Sequence, residues 1–122
     1  MKVKMYCIFA QEAIVKMKGI RGKMCAQAGH AFVHCNWIAA KQFPDQLEAY
    51  MNSDHAYKIV LITETVEQLK ELQKAYENKC ATRLITDKGF TVFDEPTTTC
   101  LGIGPIAEDM IGDDIKALKT FS

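Results

Sequence analysis

The segment Gly22–Ala31, GKMCAQAGHA, sets Lys23, Gln27 and His30 at offsets of four and then three, which brings them onto one face of a helix. The Gly22-Lys23 pair opens this pattern after a basic, glycine-containing stretch. A lysine beside the free N–H groups of a helix start suits an anion or a developing oxyanion. The segment is not a Walker phosphate loop, because the four-residue spacer and the Ser or Thr after the lysine are missing. Gln27 and His30 equally suit hydrogen-bonded interior or interface groups, so this face has two readings.

A second segment, Asp87–Pro105 (DKGFTVFDEPTTTCLGIGP), begins with an aspartate just after an apolar strand pattern. A carboxylate on such a loop is placed where general acid–base chemistry is usually found, although Asp-x-Gly is also an everyday turn. Strand alternation sends Thr97 and Thr99 to one face and Thr98 to the other. Their hydroxyls could serve a site, or the threonines could simply be good strand formers. His30 and His34 share a helix face at a spacing of four, but no glutamate stands between them as in the zincin motif and Cys35 points elsewhere, so no metal site is expected.

These residues need elements to hold them. Lys4–Ala10, Tyr57–Thr63, Thr82–Thr86 and Thr98–Ile103 read as strands, the last closed by Gly104-Pro105. The run YKIVLIT at 57–63 is apolar enough to be buried on both sheet faces. Gly22–Gln42 reads as the longest helix, with Met24, Ala28, Ala31, Phe32, Cys35, Ile38 and Ala39 returning to one face. Thr65–Asn78 is a second, with Thr65 and Gln68 in capping-box spacing and Val66, Leu69, Leu72, Ala75 and Tyr76 on one stripe. A weaker third, about 107–118, is interrupted by Gly112-Asp113-Asp114. The order predicts an α/β fold: a three-layer α/β/α single domain over 1–122, with a four-stranded, mixed, mostly parallel sheet. Functional loops then belong at strand carboxyl ends, around residues 11–23, 87–97 and 104–106.

Hydrophobic residues at 48% and charged residues at 25% describe an ordinary globular protein, and 122 residues suffice for a core. Five cysteines, with no Cys-x-x-Cys pair, argue for reduced thiols and a cytoplasmic location. The short apolar N-terminal run does not read as a signal peptide, and no 18-residue apolar stretch exists, so membrane insertion is not expected. The net charge of zero disfavours a protein that coats nucleic acid nonspecifically. Within that balance, residues 1–23 carry Lys2, Lys4, Lys16, Lys18, Arg21 and Lys23 against Glu12 alone, a local basic patch that suits RNA contact or mere solubility of a strand edge and loop.

Taken together, the two glycine-bearing segments resemble the type 2 peptidyl-tRNA hydrolase family. That family shows Gly-Lys-x-Ala-Ala-Gln-x-x-His-Ala on its first helix, against Gly22-Lys23-Met24-Cys25-Ala26-Gln27-Ala28-Gly29-His30-Ala31 here. Its second motif begins Asp-Ala-Gly-Arg-Thr-Gln, against Asp87-Lys88-Gly89-Phe90-Thr91-Val92, and leads to a threonine and Ile-Gly-Pro, as at Thr99 and Ile103-Gly104-Pro105. The strand Lys58–Leu61 agrees as well. The resemblance implies catalytic roles for Lys23, Asp87, Thr91 and Thr99, and further polar roles for Gln27 and His30 in holding substrate. Phe90 and Val92 stand where the family has Arg and Gln.

The implied reaction is hydrolysis of the ester joining a peptide, or an N-blocked aminoacyl group, to the terminal ribose of tRNA. An ester needs only an oriented water and a stabilised oxyanion, so no metal or cofactor is called for. In this reading Asp87 orients or deprotonates water, Thr91 and Thr99 hold the water and the carbonyl, and Lys23 stabilises the anion. Lys18 and Arg21 would grip acceptor-stem phosphates. The resemblance also makes a homodimer the expected assembly. The rival is a catalytically weak or inactive module of the same scaffold that holds tRNA or a protein partner.

Overall fold

A computed structural model describes residues 2–53, 55–88 and 95–122. Its five strands are β1 (Val3–Ala10), β2 (Lys58–Thr63), β3 (Thr82–Asp87), β4 (Thr97–Ala107) and β5 (Lys119–Thr120). They form one open mixed sheet in the order β3-β4-β1-β2-β5. The helices are α1 (Gln11–Lys16), α2 (Arg21–Gln42), α3 (Pro44–Met51), α4 (Val66–Tyr76) and α5 (Asp113–Lys116), with a 3₁₀ turn at Glu108–Met110.

The sheet has five strands rather than four, and it is not mostly parallel. Among the described residues only β1 and β2 pair in parallel; β1 with β4, β2 with β5 and β3 with β4 are antiparallel. The alternation of strands and helices correctly gives β1, β2 and β3 one direction. The α4 crossover, however, carries β3 to the far edge, and β4 comes back between β3 and β1. Pairing partners depend on where a crossover lands, which hydrophobic periodicity does not encode. The run at 57–63 is less enclosed than its composition suggests: within β2 only Leu61 and Thr63 are buried, because its outer neighbour β5 is two residues long.

Two sites near Pro105 show why β4 is longer than expected. Gly104-Pro105 does not end the strand but lies inside it, at an irregularity where the register slips between Lys4 and Tyr6. A proline without an N–H is tolerated at such a bulge. Gly104 has φ +110°, and a Cβ there would come within 2.7 Å of the Lys4 carbonyl oxygen, so glycine is required. Residues 104–106 are therefore buried strand, not a functional loop.

The other departures are local. Residues 11–16 form α1 instead of a loop, and Pro44 starts α3 directly after α2 ends, using the fixed φ that suits the first helical turn. The pattern at 107–118 resolves into the tail of β4, the 3₁₀ turn and α5, separated by extended Gly112. By contrast, α4 forms as read: Thr65 caps it, its side chain accepting from the Gln68 N–H while Gln68 reaches back to the Thr65 N–H, a full capping box.

Alternation along β1 divides the core. Tyr6, Ile8 and Ala10 pack with Leu69, Leu72 and Tyr76 of α4 and with Ile111 and Ile115. Cys7 and Phe9 pack with Ala31, flanked by Met24, Ala28 and Phe32 of α2. Met5 joins Cys35 and Ala39 of α2 with Leu47 and Tyr50 of α3. Gly102 lets α2 lie directly on β4, since a Cβ there would come within 2.7 Å of Cys35 Sγ and 2.8 Å of the Ala31 carbonyl oxygen. That close approach sets the depth at which the polar residues of α2 meet the sheet.

Candidate active site

The first turn of α2 and the carboxyl end of β3 meet at one edge of the sheet. There the Lys23 ammonium forms an ion pair with the Asp87 carboxylate. The side chains are only 18% and 7% exposed respectively, so the pair is largely withdrawn from water and its attraction is little screened. A lysine at a helix start opposes the helix dipole, and α2 has no acidic residue in its first turn and no side-chain cap. Asp87, at the carboxyl end of β3, supplies the missing negative charge.

One turn further along α2, Gln27 is buried, and its Oε1 accepts a 2.7 Å hydrogen bond from Thr99 Oγ1. Thr99 is fully buried and also lies 3.3 Å from the Ile85 carbonyl oxygen. A bulge causes this placement. Ile85 is opposite Cys100 and Thr86 opposite Thr98, which leaves Thr99 as an extra residue in β4. Thr99 and Cys100 both reach Gln27 as a result, the Cys100 thiol lying 3.6 Å from the Gln27 carbonyl oxygen. Thr97 is buried and donates to the Glu95 carbonyl, whereas Thr98 meets Thr86.

A cleft of about 490 Å³ opens over this arrangement, lined by Lys23, Gln27, His30, His34, Arg83, Thr86, Asp87 and Lys88. Four of the expected residues, Lys23, Gln27, His30 and Asp87, thus share one wall. Thr99 does not line it but supports Gln27 from beneath. Thr91 lies outside the described residues. Lys18 is exposed in the turn after α1 and does not line the cleft. Arg21 borders a separate depression with Phe9, Met24, Val60 and Phe121. Lys4 pairs with Glu108 and sits over the Tyr57 ring, so the basic N-terminal segment does not form one continuous patch at the cleft.

The cations that do rim the cleft besides Lys23 are Arg83 and Lys88, both missed in the sequence. The signal was available in part: strand alternation puts Arg83, Ile85 and Asp87 on one side of β3. His34, one turn past His30, was read only as a metal candidate. Burial, then the nearby Arg83 charge and His30, lower its pKa from the ordinary 6.5 and favour the neutral ring. Among the described residues no three His, Cys, Asp or Glu side chains gather as metal ligands. All five cysteines are free, and Cys25, the exposed one, lies on the Arg21 depression rather than in the cleft. Burial pushes the Cys35 and Cys80 thiols up to about 12, far from a reactive thiolate. No helix is long and apolar enough to cross a membrane among the described residues.

Comparison with known proteins points to one family. A "Probable peptidyl-tRNA hydrolase 2" of Schizosaccharomyces pombe is 36% identical over 102 residues, 83% of this chain, although the chain spans only 49% of that relative. The "Peptidyl-tRNA hydrolase" of Thermococcus onnurineus is 33% identical over 84% of this chain and 87% of its own length. That of Methanopyrus kandleri is 32% identical over 92% of this chain and its whole own length. The family model described as "Peptidyl-tRNA hydrolase PTH2" matches residues 3–121. With Lys23 and Asp87 of the two motifs joined in one cleft, and a family match running nearly end to end, the chain belongs to the peptidyl-tRNA hydrolase PTH2 family.

Proposed function

We propose that this protein hydrolyses the ester between a peptide, or an N-blocked aminoacyl group, and the 3′-terminal ribose of tRNA, without a metal ion. The observation that carries the reading is the secluded Lys23–Asp87 pair at the floor of a cleft rimmed by cations. Asp87 accepts a proton from a water as that water attacks the ester carbonyl, and Lys23 keeps Asp87 ionised and stands beside the developing oxyanion. Collapse of the intermediate breaks the acyl–oxygen bond; the ribose oxygen takes up a proton and the peptide leaves as a carboxylate. Thr91 contributes a hydroxyl from the segment after β3.

Arg83 and Lys88 give the acceptor end of tRNA two phosphate partners at the cleft itself, which His30 and His34 also line. Lys18 and Arg21 extend this grip further along the acceptor stem. Residues 1–122 act as one domain of three layers, with α2 and α3 on one side of the sheet and α4 and α5 on the other, a layering supported by the two-sided core of β1. The protein is cytoplasmic and works as a homodimer, for which exposed Val33 and Trp37 of α2 offer apolar surface.

The test is release of N-acetyl-aminoacyl groups from labelled tRNA by wild type, Lys23→Ala and Asp87→Asn, with EDTA present throughout. Turnover by wild type that collapses in both variants is expected. Binding of tRNA without turnover would favour the inactive module, and loss of turnover in EDTA would remove metal independence.

A further inference from the structure

The Gln27–Thr99 hydrogen bond divides roles that the family resemblance groups together. Thr99 has no solvent-accessible surface, and its single hydroxyl proton is directed to Gln27 Oε1 at 2.7 Å. It therefore has neither exposure nor a spare proton to offer a substrate in the cleft. An amide whose oxygen is held in this way must turn its nitrogen the other way. Among the described residues Gln27 Nε2 makes no hydrogen bond, yet it is not a fully enclosed unpaired group. The Nε2 group therefore reaches the cleft that Gln27 lines, one helical turn from Lys23 and on its face.

We infer that Gln27 is an oxyanion donor for the ester hydrolysis, its amide N–H₂ aimed beside the Lys23 ammonium, and that Thr99 is a positioning residue that acts through Gln27 alone. The inference rests on the hydrolase reading of this cleft. Chemically the assignment is coherent. A neutral donor and a cation side by side stabilise the tetrahedral intermediate's oxygen, while Asp87, the other member of the ion pair, acts on the water. The β4 bulge is what makes it possible, because without the extra residue Thr99 would not oppose Gln27. No bond other than those of the hydrolysis itself is made or broken.

A double-mutant cycle with the labelled-tRNA substrate tests this, using Gln27→Met, Thr99→Val and the pair together, with melting temperatures checked for each. Gln27→Met should lower kcat by about a hundredfold with KM little changed, the size of a lost oxyanion donor. Thr99→Val should lower kcat by roughly tenfold in the wild-type background and by almost nothing in Gln27→Met, because residues in one chain of action are not additive. Thr99→Ser, which keeps the hydroxyl, should restore most of the rate. Gln27→Glu keeps the acceptor for Thr99 while removing the N–H, so it should be at least as impaired as Gln27→Met. Equal losses from Thr99→Val in both backgrounds, or an active Gln27→Glu, would overturn the inference and leave the hydrolase reading standing. A wild type without turnover would sink both.

Discussion

The two sides of the sheet are built to different rules. On the α4 side every buried position of the helix is Leu or Tyr: Leu69 and Leu72 meet Ile8, Leu101, Ile103 and Ile106 without a break, and a complete capping box starts the helix. On the α2 side a helix twice as long starts with no cap and carries Lys23 and Gln27 toward the sheet, where a uniformly apolar stripe would pack better. Burying a polar side chain is unfavourable unless it is paired, and here both are paired, to Asp87 and to Thr99. The difference teaches where to look: one face follows local rules and holds the fold, and the other departs from them at residues that line the candidate cleft.

The sharpest way to break this comparison is to remove the α2-side charges. Lys23→Ala or Asp87→Asn should lower kcat by about a hundredfold or more, read as acyl release from tRNA, while the melting temperature moves far less than the rate. Comparable losses of melting temperature and rate in both variants would show that this face is structural as well. The converse change is on α4: Leu69 is fully buried, and Leu69→Ala should destabilise by about 2–5 kcal/mol in urea unfolding while kcat of the folded fraction stays near wild type.

The rim gives a smaller and different effect. Arg83→Ala and Lys88→Ala together should raise KM at low salt by about tenfold and flatten the salt dependence of tRNA binding by roughly one to two phosphate contacts, with kcat nearly unchanged. An unchanged salt slope would remove these two residues from the interface. The smallest effect concerns Tyr76, whose hydroxyl donates to Asp114 at 2.7 Å and accepts from the Gly112 N–H. Burial, opposed by the Gly112 N–H and reinforced by Asp114, pushes this phenol up to about 12 from 10. The folded state thus keeps a proton that the unfolded chain releases. The associated stability is complete below pH 10 and is lost as pH rises from 10 toward 12. Tyr76→Phe should flatten that alkaline decline in a series of melting curves.

Much of this was legible from residues alone. The capping box of Thr65 and Gln68, the long helix from Gly22 and the strand before Asp87 all follow from short-range periodicity and side-chain chemistry. The two motifs also singled out Lys23, Gln27, His30 and Asp87, and these four line one cleft. The short elements α1, α3 and β5 were not legible, since a helix of one or two turns, or a two-residue strand, has too few positions to show a period.

By itself, then, the sequence determined the principal helices and strands, which residues were polar where apolar ones belonged, and the family whose chemistry they share. Tertiary structure alone decided the strand order, the antiparallel insertion of β4, the bulge that turns Thr99 under Gln27, and the arrival of Arg83 and Lys88 at the cleft while Arg21 goes elsewhere. The physical reason is range. Period and capping act over a few residues, whereas Lys23 and Asp87 meet only because a crossover, a bulge and a close helix-to-sheet approach fix distances between segments far apart in the chain.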